Sequence, residues 1–241
     1  MADNIAQFPQ NKPEIISYNG TRYGRYLIRT NRIDADTDLH QTILHSCGDV
    51  LQSGDILCIA ESVVAISQQR AYKISEITPG FSARLLSGFV SKTPAGIGLG
   101  MPETMQLALQ EVGYVRLYAA AAVAAITRTL GRRGDFYRIA GERARGIDGP
   151  TPGTLPPYNE YATLMPARGD IVVQEIEQAI EQSIGVDVQV VIVDANDIGV
   201  NIVAPRNKQE ESLGKELCAD NPMGQGHQQT PLMIGRVHTS I

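Results

Sequence analysis

The order of patterns along the chain predicts an α+β protein with mixed sheets, not a doubly wound one, and three observations carry that prediction. Two apolar runs, ILCIA at 56–60 and VQVVIVD at 188–194, read as short strands buried on both faces. Just ahead of the second lies DIVVQEIEQAIEQSIG, an amphipathic helical pattern with Ile176, Ile180 and Ile184 at four-residue steps. The other strand and helix patterns do not alternate strictly, as successive βα units would.

With 241 residues, 43% of them apolar, the chain can bury a sizeable core. We read residues 1–14 as a polar, flexible tail and 15–241 as a single domain, leaving open a division into two intertwined lobes. A formal charge of −5 and a pI near 5.4 argue against a nucleic-acid partner but leave small anions available as ligands. Cys47, Cys58 and Cys218 are odd in number, widely spaced and without a C-x-x-C pair. Neither a disulfide framework nor a thiolate zinc site is expected, and a reducing cytoplasm fits best. MADNIAQFPQNKPE lacks the pattern of a signal peptide, and the longest apolar run, Tyr118–Ile126, falls short of the roughly 20 residues a membrane helix needs. No membrane partner is expected.

Taken in order, DLHQTILHSCG at 38–48 is a helix with an acidic start and a glycine stop. Gly54-Asp55 opens the strand ILCIA, and the chain runs on through Glu61 and Ser62 into VVAIS. SKTPAGIGLGM at 91–101 is a loop, and Pro102 begins a helix over ETMQLALQEV. YVRLY at 114–118 has the composition of a strand, and AAAAVAAITRTLG that of a helix ending at Gly131. GIDGPTPGTLPPYNEY is too rich in Pro and Gly for regular structure, and loops of that length are often functional. After the amphipathic helix and its strand, RNKQEESLGKEL reads as a charged, solvated helix or loop. PMGQGHQQTP is a Gly-rich turn before the last apolar segment, LMIG.

The strand VVIVD runs directly into Ala195, Asn196 and Asp197, and that cluster has two readings. Asp and Asn form turns because their side chains hydrogen-bond nearby backbone. A hard cation such as Mg²⁺ or Mn²⁺ needs only one or two carboxylates plus substrate phosphates, so Asp194 with Asp148 of RGIDGP is a candidate metal pair. Seven arginines between Arg116 and Arg145 face only Asp135 and Glu142. Most belong on a solvated helix face, and Arg143 and Arg145, nearest the loop, are the candidates for an anionic ligand. MGQGH at 223–227 offers backbone N–H groups that could cradle phosphate. GIGLG at 96–100 lacks the context of a dinucleotide fingerprint and is taken as a structural loop. His40 and His45 flank their helix, and His227 lies in the Gly-rich turn.

Read together, GDILCIAESVVAISQQR, AGERARGID, TLMPARGD, VVIVDANDIG and PMGQGHQQTPLMIGRV resemble, in order, the landmarks of the coenzyme F-420:L-glutamate ligase family. The resemblance runs from about residue 30 to 237. It implies a GTP- and divalent-metal-dependent ligase, cytoplasmic and homodimeric, that joins L-glutamate through a gamma-linked amide to a deazaflavin phospholactate or a related carboxylate. Asp148 matches the family's metal-binding aspartate in its A-G-I-D motif, and Asp194 the one in its D-x-N motif; both would be catalytic through Mg²⁺ or Mn²⁺. Met223, Gly224, Gln225 and Gly226 match the nucleotide-binding M-G-E-G loop, with Gln225 in place of a metal-binding glutamate. Ser62, Arg70 and Thr151 match positions beside the nucleotide, Thr151 replacing an asparagine.

Other positions depart from the pattern. Ala195 replaces a threonine at the second metal, and Ile66 stands where the family has a lysine. The chain also lacks a stretch between the D-x-N strand and the Gly-rich turn, and carries the Ala/Arg-rich segment as an addition. These departures leave open a non-catalytic or regulatory anion- and nucleotide-binding homologue. The same two aspartates would also serve a metal-dependent phosphohydrolase, which needs no glutamate.

Overall fold

The computed structural model describes residues 4–90, 98–132, 134–196, 199–205, 207–224 and 226–239. The chain divides into two compact units, one of residues 1–69 with 166–241 and one of residues 70–165.

The first unit holds a mixed six-stranded sheet in the order β1-β2-β8-β3-β6-β7. Its strands are β1 (Ile15–Tyr18), β2 (Thr21–Ile28), β3 (Ile56–Ala60), β6 (Gln189–Asn196), β7 (Gly199–Ala204) and β8 (Leu232–Val237). Only β3 and β6 pair in parallel, with Ile56 opposite Gln189 and Ala60 opposite Val193. This agrees with the expected α+β class. Helix α1 (Leu39–Cys47) begins where the sequence places it: the Asp38 carboxylate accepts from the Gln41 N–H at 3.1 Å, and the Gly48 N–H closes the helix on Leu44 O. Its Leu39, Ile43 and Cys47, one turn apart, are buried.

Helix α2 (Glu61–Ser67) starts the moment β3 ends, and α8 (Gly169–Ile184) carries the amphipathic pattern. Val173, Ile176 and Ile180 of α8 are buried, whereas Ile184, in the last turn before the left-handed Gly185 cap, is 38% exposed. The charged stretch after β7 is more than a solvated surface. It forms α9 (Lys208–Cys218), whose Leu213, Leu217 and Cys218 enter a core with Ile56, Cys58, Val191 and Val193. Gly235 of β8 lets that helix approach, since a Cβ there would lie 2.7 Å from Leu217.

Part of the stretch expected as a tail lies along β2. Ala6 N–H donates to Leu27 O at 2.9 Å, Arg29 N–H donates to Asn4 O at 2.7 Å, and Ile5 bridges Ile28.

The second unit contains the antiparallel pair β4 (Ala71–Lys73) and β5 (Tyr161–Thr163) and five helices among the described residues. These are α3 (Phe81–Ser87), α4 (Pro102–Val112), α5 (Tyr114–Thr129), α6 (Asp135–Ala140) and α7 (Glu142–Arg145). They share a core that includes Leu86, Met105, Leu109, Leu117, Phe136 and Ile147. Here the strand expected at 114–118 is corrected: YVRLY is the first turn and a half of α5. Gly113, at φ +89°, breaks the chain away from α4. From there Leu117, Ala120 and Ala121 bury at helical spacing, and the alanine run extends helix back through the tyrosines. Tertiary burial outweighs the weak strand preference of five residues. Among the described residues, no helix is long and apolar enough to cross a membrane.

Candidate functional site

In the first unit the sheet order brings three sequence candidates to one end. The parallel register sets Ala60 opposite Val193, so the start of α2 and the end of β6 emerge side by side. β8 enters at the same end, with Ala60 N–H donating to Pro231 O at 2.9 Å, so the Gly-rich turn that precedes it arrives there too. Ligands commonly bind outside the carboxyl ends of parallel strands, where loops diverge.

Ser62 lies in the first turn of α2 and is exposed. Ile66, the penultimate residue of α2, is buried and offers no polar group.

Asp194 and Asn196 take different places at the end of β6. Side chains alternate along β6: Val191, Val193 and Ala195 face the α9 core, which leaves Asp194 and Asn196 on the opposite face. The Asn196 Oδ1 accepts from the Gly199 N–H at 3.1 Å and so closes the β6–β7 hairpin. That residue is the turn former. The half-buried Asp194 carboxylate has no hydrogen bond or ion pair among the described residues, and burial pushes its pKa above the usual aspartate range. A carboxylate desolvated without a donor is a fitting ligand for a cation.

The chain enters the Gly-rich turn from a partly buried ion pair. Arg25, fully enclosed, forks onto Asp220 at 2.5 and 3.0 Å, donates to Leu217 O at 3.0 Å and bonds Pro13 O as well. Burial alone would raise the Asp220 carboxyl, but the Arg25 hydrogen bonds and charge outweigh it and hold the pKa low. Beyond that anchor, Met223 is a core residue whose carbonyl accepts from the buried Thr230 hydroxyl at 2.9 Å. Gly224 takes φ +77° and Gly226 φ +114°, conformations that favour glycine, and a Cβ on Gly224 would lie 2.6 Å from the Gln228 side chain. Gln225 lies outside the described residues.

The other candidates belong to the second unit. Asp148 is exposed, directly after the buried Ile147, and its backbone makes a two-way bridge with Thr163, both bonds 2.9 Å. Gly146 makes room for this arrangement, since a Cβ there would collide with Met165. Arg70 is committed to protein partners: its Nε donates to Met165 O at 2.6 Å and its guanidinium pairs with Glu111 at 2.7 Å. Arg143 pairs with the same Glu111 oxygen at 2.9 Å, and Arg145 is exposed. Thr151 is exposed and turns its hydroxyl to Gly149 O at 3.3 Å. Of the remaining arginines, Arg132 and Arg138 flank Asp135, and Arg116 donates to Ile139 O, as surface structure would.

Among the described residues no group of three or more His, Cys, Asp or Glu could hold a metal ion. A cation at Asp194 would therefore draw part of its coordination from ligand oxygens or water. Sequence reasoning missed Glu111, Thr230 and the Arg25–Asp220 pair. Glu111 and the Arg25–Asp220 pair lie far along the chain from what they hold, so no local motif marks them, whereas Thr230 lies seven residues from Met223, inside the Gly-rich stretch.

A sequence model of the family described as F420-0:gamma-glutamyl ligase matches residues 27–205. The matched span takes in Ser62, Arg70, Asp148, Thr151 and Asp194 and ends before the Gly-rich turn. No match was found among curated proteins.

Proposed function

The chain belongs to the F420-0:gamma-glutamyl ligase family, and from that membership we propose a ligase that uses GTP and a divalent cation to form a gamma-glutamyl amide. The acceptor is a deazaflavin phospholactate or a related carboxylate. An oxygen of the acceptor carboxylate attacks the terminal phosphorus of GTP, and GDP leaves. The glutamate amine then attacks the acyl carbon, loses a proton and releases inorganic phosphate.

Phosphoryl transfer asks the protein chiefly for positioning and charge neutralisation. Asp194 and, as a separate candidate, Asp148 are the carboxylates proposed as ligands of Mg²⁺ or Mn²⁺, which when bound would neutralise charge on the phosphates. The exposed Ser62 hydroxyl and the backbone N–H groups around Gly224 and Gly226 are proposed to bind phosphate oxygens, with Thr151 as a further polar contact and Gln225 as a weak, neutral ligand. Arg70 acts through the protein groups it already binds. The observation that carries this reading is the Asp194 carboxylate, half-buried with no donor among the described residues, at the sheet end where Ser62 and the Gly-rich turn also emerge.

Thermal denaturation with GTP and Mn²⁺, separately and together, tests it on the wild type and Asp194→Asn. A ligand that binds only the folded state at about 100 times its dissociation constant adds about 2.7 kcal/mol. The expected result is a rise in Tm that needs both ligands and is lost in the variant. Mass spectrometry should then find a product heavier by one glutamyl residue. No rise at millimolar ligand removes the GTP-dependent ligase. A second reading, a nucleotide-binding homologue without catalysis, draws on the engagement of both Arg70 and Arg143 by Glu111. It predicts the Tm rise without the adduct, and a phosphohydrolase predicts phosphate release without glutamate.

A further inference from the structure

Glu111 stands at the centre of the second unit's polar network. It projects from the last turn of α4 with a side chain only 12% exposed, and one of its oxygens takes both Arg70, at 2.7 Å, and Arg143, at 2.9 Å. Each arginine leads to Asp148 by a different route. Arg70 Nε holds Met165 O at 2.6 Å and Arg70 O accepts the Leu164 N–H at 3.0 Å. Those bonds fix the strand segment whose Thr163 makes the two-way bridge to the Asp148 backbone. Arg143 sits in α7, which is capped by Gly146, two residues before Asp148. Met165 closes the loop of contacts by packing over Gly146.

We infer that Glu111 is a positioning residue for Asp148: by pairing with Arg70 and Arg143 at once, it fixes both segments that flank the Asp148 carboxylate and thereby sets its affinity for a divalent cation. The inference rests on the proposed role of Asp148 as a metal ligand. Physically, a carboxylate after a Gly-x turn is a good ligand only when its backbone is held, because the ordering entropy is then spent at folding and not at binding. Residues that orient a metal ligand from behind change metal affinity by about 10- to 100-fold when replaced. The two arginines also need Glu111. Without its charge, the partly buried Arg70 guanidinium loses its anionic partner and the Met165 carbonyl loses a fixed donor.

The test is a double-mutant cycle on Mn²⁺ affinity, measured by the EPR signal of free Mn²⁺ with the full-length protein and GTP present. Glu111→Gln should weaken Mn²⁺ about 10-fold, and Asp148→Asn should weaken it at least as much. In the Asp148→Asn background, Glu111→Gln should change affinity less than about 2-fold, because a residue acting through Asp148 has nothing left to act on. Additive losses overturn the inference, as does an unchanged affinity in folded Glu111→Gln. Should Glu111→Gln not fold, Arg143→Ala removes one arm at the surface and is expected to give a smaller loss with the same non-additivity. If the wild type binds no Mn²⁺, or Asp148→Asn binds it normally, the metal role of Asp148 fails and takes this inference with it. Normal binding by Glu111→Gln beside a weakened Asp148→Asn overturns the inference alone.

Discussion

Asp55 and Asp194 stand at opposite ends of the β3–β6 strand pair, and the fold treats their charges in opposite ways. Asp55, 1% exposed, precedes β3 and receives Arg236 through two bonds of 2.7 Å, with a third donor from the Gln52 N–H at 2.8 Å. Arg236 in turn donates to Val50 O at 2.6 Å and lies over the Tyr26 ring. The hydrogen bonds with Asp55 raise the Arg236 pKa against the opposing effect of burial. Both oxygens of the Asp55 carboxylate are thus bonded inside the protein. Asp194, at the other end, is half-buried with no donor among the described residues. The difference separates a charge paired inside the protein from one left without a described partner, the mark of a candidate functional group.

The largest expected effect breaks the closed end. Arg236→Ala leaves Asp55 enclosed beside only backbone donors, and removal of one partner from a buried pair costs about 3 kcal/mol or more. Urea denaturation should show that loss, while the stabilisation by Mn²⁺ and GTP, taken from the variant's own baseline, stays as in the wild type. A loss below about 1 kcal/mol would mean that the pair behaves as a surface bridge and that the two ends are not so different.

A smaller effect, opposite in sign, sharpens the open end. Burial raises the folded-state pKa of Asp194, so the folded protein binds its proton more tightly than the unfolded chain does. Below the ordinary aspartate pKa both states are protonated and the residue makes no difference. As pH rises from there through the raised pKa, the folded state must carry an unfavourable charge, and stability falls. Asp194→Asn removes that penalty. Without metal, its Tm should exceed that of the wild type at pH 7, and the gap should close as pH drops below the ordinary aspartate range. Thermal melts across that range check it; a variant less stable than wild type at pH 7 would show that Asp194 has a structural partner after all.

Much of this was legible in the sequence, and the reasons are local. Asp38 and Gly48 bound α1 because capping chemistry acts within four residues, and ILCIA and VVIVD are strands because a double-faced apolar run has few other uses. The amphipathic α8 was visible in its period, though its last isoleucine was not, since the end of a helix depends on what the neighbouring strand reaches. YVRLY failed for a related reason: five residues carry too little propensity to outvote the alanines that follow. Of the site, the sequence named Asp194, Ser62 and the Gly-rich turn separately. Their convergence needed the pairing of β8 with β3, a register between residues 56–59 and 232–235 that no motif encodes. Glu111 was invisible because its partners lie 41 residues before it, at Arg70, and beyond it at Arg143.

The smallest expected effect concerns Ala195, where the resemblance implies a threonine. Restoring the hydroxyl by Ala195→Thr looks like a repair, but strand alternation directs that side chain toward the core formed with α9, away from the face that carries Asp194. The new hydroxyl would meet Val193, Val200 and their neighbours in place of a cation. It gains no metal contact there, and an added polar group without a partner destabilises by about 1 kcal/mol. The expected result is therefore a slightly lower Tm with Mn²⁺ affinity changed less than about 2-fold, read from the same EPR titration. An increase of tenfold, about 1.4 kcal/mol, would mean that residue 195 turns its side chain toward the ligand when one is bound. Asp194 would then have to rotate away from the face it occupies here, and the open end of the sheet would be a hairpin that rearranges to receive its cation.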